Sequence, residues 1–91
     1  MPFRYCRADR ALWRRAHGTV LVLPASGQDV LALTGAGDDL WRLLFEPMTI
    51  HQTARRLAEI YDRSPDEITR EIAPILDDLV ARGALNRMES A

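Results

Sequence analysis

Residues 19–33 read TVLVLPASGQDVLAL, and residues 34–44 continue as TGAGDDLWRLL. Thr19 to Leu23 is short, apolar and rich in β-branched residues, which predicts a strand. Pro24 to Gly27 is typical of a turn, and the strand pattern resumes over Asp29 to Leu33. These two strands predict an antiparallel hairpin. Glycines and a helical apolar pattern follow directly, so a helical layer begins where the hairpin ends.

The flanking sequence predicts one more strand and two further helices. Leu12 to Ala16 (LWRRA) is a weaker strand candidate. Thr49 to Gln52 has the Thr-x-x-Gln form of a capping box, and Ser64 to Glu67 (SPDE) combines a cap residue, an early proline and acidic residues. Gly83 is placed to end the last helix, and Pro74 predicts a kink within it. We expect an α+β, winged-helix-like domain in which a three-stranded antiparallel sheet is followed by three helices.

Length and composition favour a single globular domain. The chain has 91 residues, of which 47% are hydrophobic and 27% charged, with a net charge of -1. We expect a flexible N-terminal segment over residues 1–11, the domain over residues 12–88 and a tail over residues 89–91. Cys6 is the only cysteine, which excludes an internal disulfide and fits a reducing cytoplasm. The apolar runs are too short to span a membrane.

The sequence offers no catalytic or metal-binding pattern. His17 and His51 are the only histidines, and neither has an acid or a nucleophile at a spacing typical of a catalytic pair. We therefore expect a protein that is not an enzyme and needs no cofactor. Since only helices follow Leu33, the edge of the third strand lacks a predicted partner, and an unpaired edge is a template for an added peptide.

At this point the chain resembles a known family. The segments TVLVLPASGQDVLAL, LTGAGDDLWRLL, TIHQTARRLAEIY and SPDEITREIAPILDDLVARGAL are similar to PqqD-like domains, the precursor-peptide recognition elements of pathways that modify ribosomally made peptides. The resemblance covers about Leu12 to Leu85. It rests on patterns of apolar and capping residues.

The resemblance implies that the leader segment of a precursor peptide adds as an antiparallel strand between the third strand and the third helix. Val30, Leu31 and Ala32 would then supply backbone hydrogen bonds, and side chains of the helix would supply discrimination. The apolar stripe of this helix, which contains Ile68, Ile72, Ile75 and Leu79, is also what a thin domain needs for its core. The candidate peptide-binding residues are Asp29, Val30, Leu31, Ala32, Leu33, Ile68, Glu71, Ile72, Ile75, Asp78 and Leu79.

The resemblance also implies which partners to expect. Small standalone members resemble those of lasso-peptide biosynthesis, where a leader peptidase and an ATP-dependent cyclase act on the precursor. The alternative within the family is the chaperone of pyrroloquinoline quinone synthesis. In either pathway the protein delivers the precursor and raises its effective concentration at the enzymes.

A different class of function, winged-helix DNA binding, stays open as an alternative. The helices from Thr49 and Ser64 can be read as a helix-turn-helix, but the second carries Glu71, Asp77 and Asp78. Acidic side chains oppose binding to phosphates, so we expect no nucleic-acid partner. The short apolar runs predict no membrane partner. An open third-strand edge would also allow a homodimer.

Overall fold

The computed structural model describes residues 3–25, 27 and 29–89. It contains six strands and three helices within these residues. The strands are β1 (Phe3–Arg7), β2 (Leu12–Ala16), β3 (Thr19–Leu23), β4 (Leu31–Leu33), β5 (Met48–Thr49) and β6 (Leu85–Glu89). The helices are α1 (Ala36–Leu43), α2 (Ile50–Tyr61) and α3 (Pro65–Ala81).

The strands form two antiparallel sheets of three strands each, with the orders β2-β3-β4 and β5-β1-β6. The first sheet and the three helices are the predicted α+β arrangement, which is confirmed. Val20 and Val22 turn into the core and are fully buried, while Leu21 and Leu23 on the other face are half-buried. The hairpin therefore separates a covered face from a partly open one, because side chains alternate along a strand.

The second sheet was not predicted. Phe3–Arg7 lie within the N-terminal segment that we expected to be flexible, but they form a strand between β5 and β6. Tyr5 anchors this strand in the core, since only 7% of its surface is exposed. At its C-terminal end, Arg7 lies opposite Leu85 of β6. The boundaries of the domain at residues 12 and 88 stay a prediction.

Arg7 links the two sheets to the helical layer. Its Nε donates a hydrogen bond of 2.8 Å to the main-chain oxygen of Trp41 in α1. Its guanidinium carbon lies 4.8 Å from the ring centroids of both Trp13 and Trp41, which meet edge to face at 5.9 Å. A guanidinium between two indoles is a favourable cation–π arrangement. The first residues of the chain are thus tied to β2 and α1.

An ion-pair cluster fastens β2 to α1 on the same side. Arg15 Nη1 donates to Asp38 Oδ1 at 2.8 Å, and Arg42 Nε lies 3.3 Å from the same oxygen. Partial burial alone would raise the pKa of Asp38, but the hydrogen bonds and charges of the two arginines outweigh it and lower the pKa. A carboxylate with a lowered pKa in the folded state stabilises the fold at neutral pH.

We therefore expect Asp38→Asn to destabilise the protein at pH 7 by about 1 kcal/mol. The lowered pKa makes this stabilisation complete above the ordinary value of about 4, and it disappears as the pH falls through the folded-state value. Urea unfolding at pH 7 and in strong acid measures the difference. Asp39→Asn is the matched control, because Asp39 occupies the same first turn of α1 and makes no ion pair with a described residue. An equal loss for the two variants would contradict this account.

The capping box at α2 is confirmed. Thr49 Oγ1 accepts a hydrogen bond from the Gln52 amide at 3.1 Å, and Gln52 Oε1 accepts one from the Thr49 amide at 2.9 Å. The helix α3 begins at Pro65 as predicted, but the Ser64 side chain makes no capping hydrogen bond. Two predicted helix starts are thus correct in position and differ in how the first amides are satisfied.

This difference predicts unequal effects of two alanine substitutions. Thr49→Ala removes the acceptor for the Gln52 amide and should lower the free energy of unfolding by about 1 kcal/mol. Ser64→Ala removes no capping bond and should lower it by less than about half as much. Chemical denaturation of both variants checks the comparison. A larger loss for Ser64→Ala would contradict the caps described.

The last helix runs without interruption through Pro74, which lies on the exposed side, and the kink expected there stays a prediction. Gly83 has φ of 82°, the left-handed conformation predicted for a C-terminal cap. The Ala84 amide donates to Leu79 O at 2.9 Å and closes the helix end. The chain then enters β6 with Leu85 buried.

The core is enclosed by three parts of the fold. These are the strands β3 and β4, the second sheet, and the three helices. Its largest fully buried side chains are Trp41, Leu40, Leu44, Leu57, Ile68, Leu76, Leu85, Val20, Val22 and Thr53. In the described part of the chain, no helix is long and apolar enough to cross a membrane.

Candidate functional site

The strand β4 is an edge of its sheet. It pairs with β3 on one side, and no described strand pairs with it on the other. The strand is shorter than predicted, because Asp29 and Val30 precede it and are exposed. The helix α1 packs against β4, while α3 packs mainly on α2 and on β6. The open side of β4 is therefore where the predicted peptide strand would add.

The turn between β2 and β3 sets the direction of the backbone groups in the sheet. His17 and Gly18 form a two-residue turn with φ of 53° and 77°. Positive φ at both positions is typical of the type I′ turn, in which the flanking residues form a hydrogen-bonded pair. Such pairs alternate along antiparallel strands. Val20 and Val22 therefore direct their N–H and C=O groups away from β2 and towards β4.

This register decides which backbone groups of β4 are free. Leu33 lies opposite Val20, and Leu31 lies opposite Val22. Both leucines use their groups on β3, so Ala32 between them turns its N–H and C=O towards the open side. We expected Val30, Leu31 and Ala32 to offer backbone groups to a guest strand. Within β4, the register turns those of Ala32 outwards and those of Leu31 towards β3, and the peptide-binding role itself stays a prediction.

The side chains of β4 alternate between the core and the outer face of the sheet. Leu33 packs into the core with 7% of its surface exposed, and Leu31 packs against the same core. Ala32 is exposed and shares the outer face with Leu21, its partner in β3. A strand added beside β4 would place the residue opposite Ala32 on the outer face and its two neighbours on the inner face.

The predicted apolar residues of α3 have different positions. Ile68, Ile72 and Leu79 are buried in the core, with exposed fractions of 2%, 2% and 4%. Ile75 is half-buried and packs against the margin of that core. The predicted stripe is thus mainly core, and Ile75 is the member that retains an exposed surface.

The two predicted acidic residues of α3 already have partners. Both carboxylate oxygens of Glu71 accept hydrogen bonds of 2.7 Å from Arg63, which also bonds Glu67. These bonds from Arg63 lower the pKa of Glu71. Asp78 pairs with Arg82 at 3.0 Å. Attraction of a basic leader residue to either carboxylate would therefore compete with an existing pair.

The outer face of the first sheet is partly open. It holds a shallow cavity of about 240 Å³ lined by Leu12, Trp13, Arg14, Leu21, Leu23 and Val30. Leu12 and Val30 are exposed by 68% and 60%. Ala32 in β4 lies opposite Leu21 and faces the same way, so it lies on the same outer face as this apolar surface.

The remaining reactive side chains form no site among the described residues. His17 lies in the β2–β3 turn, His51 lies in the first turn of α2, and no group of three His, Cys, Asp or Glu side chains could hold a metal there. Burial and the charge of Asp9 raise the pKa of the Cys6 thiol, which disfavours the reactive thiolate.

Comparisons with known proteins agree with this fold. The family model described as coenzyme PQQ synthesis protein D (PqqD) matches residues 18–85. A search of curated proteins gives no match.

Among solved structures, the chain is similar to the PqqD truncation of Methylobacterium extorquens PqqCD, determined by solution NMR and described as a functional, stand-alone RiPP recognition element. RiPP denotes a ribosomally synthesised and post-translationally modified peptide. The TM-score is 0.72 and the sequence identity 21%, over 92% of this chain and 89% of the other. Since the family model spans most of the chain, the protein belongs to the PqqD family.

Proposed function

We propose that the chain binds the leader segment of a ribosomally made precursor peptide and delivers it to the enzymes that modify the precursor. In this proposal the guest adds as an antiparallel strand on the open side of β4, between that strand and α3. Membership of the PqqD family and the similarity to a stand-alone recognition element support the class of ligand. The outward direction of the Ala32 N–H and C=O groups is the observation that supports this mode of binding.

The energetics require both backbone and side-chain contacts. The two backbone groups of Ala32 would contribute roughly 1–3 kcal/mol together and read no sequence. Discrimination therefore comes from side chains of the guest. Inner-face residues would lie near Leu31, Leu33 and Ile75, and the outer-face residue would lie beside the apolar surface around Leu21.

Two pathways fit this function. We favour lasso-peptide biosynthesis, in which a leader peptidase and a cyclase would be the cytoplasmic partners. The description of the matching family model favours pyrroloquinoline quinone synthesis as the second candidate. The neighbouring genes distinguish the two pathways. A short precursor reading frame beside genes for a peptidase and a cyclase supports lasso-peptide biosynthesis. A gene for a radical enzyme beside the precursor of pyrroloquinoline quinone supports the second pathway.

Binding is tested by titrating the ¹⁵N-labelled protein with the leader peptide of the neighbouring precursor frame. We expect amide shifts concentrated at Ala32, its neighbours in β4 and the part of α3 around Ile75. The core segment of the same precursor is the control peptide and should cause no such shifts. Titration with a random DNA duplex at low salt tests the alternative function, winged-helix DNA binding. Unmoved resonances at β4 and α3 with saturating leader peptide would contradict the proposal.

A further inference from the structure

The second sheet has an open edge of its own, and it is longer than that of β4. The strand β6 (Leu85–Glu89) pairs with β1 on one side, and no described strand pairs with it on the other. Four of its five residues are exposed. Strand edges of this kind pair readily with another chain unless charges or bulges prevent it.

Hydrogen bonds next to this sheet show which groups of β6 face outwards. The Ala8 amide donates to Ala84 O at 3.0 Å, so these residues form a hydrogen-bonded pair at the start of the ladder. The Arg7 amide points the other way, to Leu44 O at 2.9 Å. Because such pairs alternate, Asn86 and Met88 bond to β1. The backbone groups of Leu85, Arg87 and Glu89 face the open side.

We propose that two copies of this chain associate by antiparallel pairing of β6 with β6 about a two-fold axis, with Arg87 of each copy opposite Glu89 of the other. The pairing joins the two small sheets into one sheet of six strands. It leaves β4 open in both copies, so it is independent of the proposed peptide binding.

Charge selects this register over its alternatives. Outward-facing residues must pair with outward-facing residues, so Arg87 can lie opposite Leu85, Arg87 or Glu89 of the second copy. Opposite Leu85 the guanidinium gains no charged partner, opposite Arg87 it meets a like charge, and opposite Glu89 two opposite-charge pairs form. The register with Glu89 also places Met88 opposite Met88 of the second copy, where the 39% exposed side chains can cover each other.

The contacts of Arg87 within its own chain do not prevent this. Its guanidinium lies 4.8 Å from the Phe3 ring and 3.9 Å from Asp77 Oδ1, and the Arg87 and Asp77 side chains are 45% and 66% exposed. A pair so long and exposed contributes little. In this register residues 87–89 of one copy face residues 89–87 of the other, so the area covered is small and we expect a dissociation constant on the order of 0.1–1 mM.

Charge reversal tests the register directly. Sedimentation of the whole chain between about 20 μM and 2 mM should show a monomer–dimer equilibrium. Arg87→Glu and Glu89→Arg should each weaken association at least about tenfold, because each sets like charges opposite each other. The double variant R87E/E89R should restore association, and an equimolar mixture of the two single variants should form a heterodimer.

Cross-linking gives a second readout of the same geometry. In a Cys6→Ser background, Met88→Cys should form a symmetric disulfide on oxidation, because the two residues face each other in a pair with Cα atoms about 4.5 Å apart. Asn86→Cys is the control and should not cross-link at the same concentration. A monomer throughout the concentration range, or a dimer unaffected by both charge reversals, would overturn the proposal.

Discussion

Ala32→Pro should lower the affinity for the leader peptide by at least about tenfold while leaving the fold intact. The substitution removes the N–H that faces the open side of β4 and leaves a guest carbonyl without its donor, which costs about 1–3 kcal/mol. The fold should survive because that N–H makes no bond to β3, and proline is tolerated at sheet edges. Isothermal titration calorimetry and thermal unfolding measure the two effects.

The matched control is Ala32→Ser, which keeps the N–H and adds a small side chain on the exposed outer face. It should bind the peptide within about threefold of the original chain, because the backbone donor is unchanged. If the proline variant bound as tightly as the serine variant, the strand could not be added at Ala32. If both variants lost binding equally, the side chain at this position would matter more than its amide.

Ile72→Ala should destabilise the protein by about 2–4 kcal/mol, because it leaves a cavity in the core. Ile72 is 2% exposed and packs in the same cluster as Leu76. Urea unfolding measures the loss. Peptide affinity, measured where the variant is fully folded, should change less than about threefold, since the side chain is not on the surface.

Ile75→Ala is the paired substitution, one turn further along the same helix. Ile75 is half-buried, so its truncation should cost roughly half as much stability as that of Ile72. In the proposed complex the same change should weaken peptide binding by about fivefold or more, because Ile75 is the apolar residue of the stripe that retains an exposed surface. The opposite ranking for binding would mean that α3 moves to expose its core face.

The strands and helices with a strong local signal could be predicted from the sequence. The β-branched TVLVL segment, the capping box at Thr49 and Gly83 at the end of α3 lie where their patterns indicated. These features depend on neighbours within a few residues, so a local pattern contains them.

The strand β1 could not be predicted in this way. Its pairing joins Phe3 to Glu89 and Arg7 to Leu85, near the two ends of the sequence. Alternation is weak there, because arginines interrupt the apolar residues, and we expected a flexible segment. The structure places Arg7 between Trp13 and Trp41 instead, a long-range contact that no local pattern contains.

The candidate site was predictable only in outline. A helix with a period of 3.6 residues shows the same apolar stripe whether it faces a core or a guest, so the sequence could not separate Ile72 from Ile75. The direction of the β4 backbone depends on the turn at His17 and Gly18. A histidine with positive φ is not evident from sequence, and without that turn the free donor could not be assigned to Ala32.

Amide hydrogen exchange at Ala32 tests the central claim most directly. In the free protein, the Ala32 amide should exchange rapidly while those of Leu31 and Leu33 are protected by β3. Saturation with the leader peptide should slow exchange at Ala32 by about tenfold or more, because its N–H becomes a ladder donor. An Ala32 amide that stays unprotected in a saturated complex would contradict strand addition at β4.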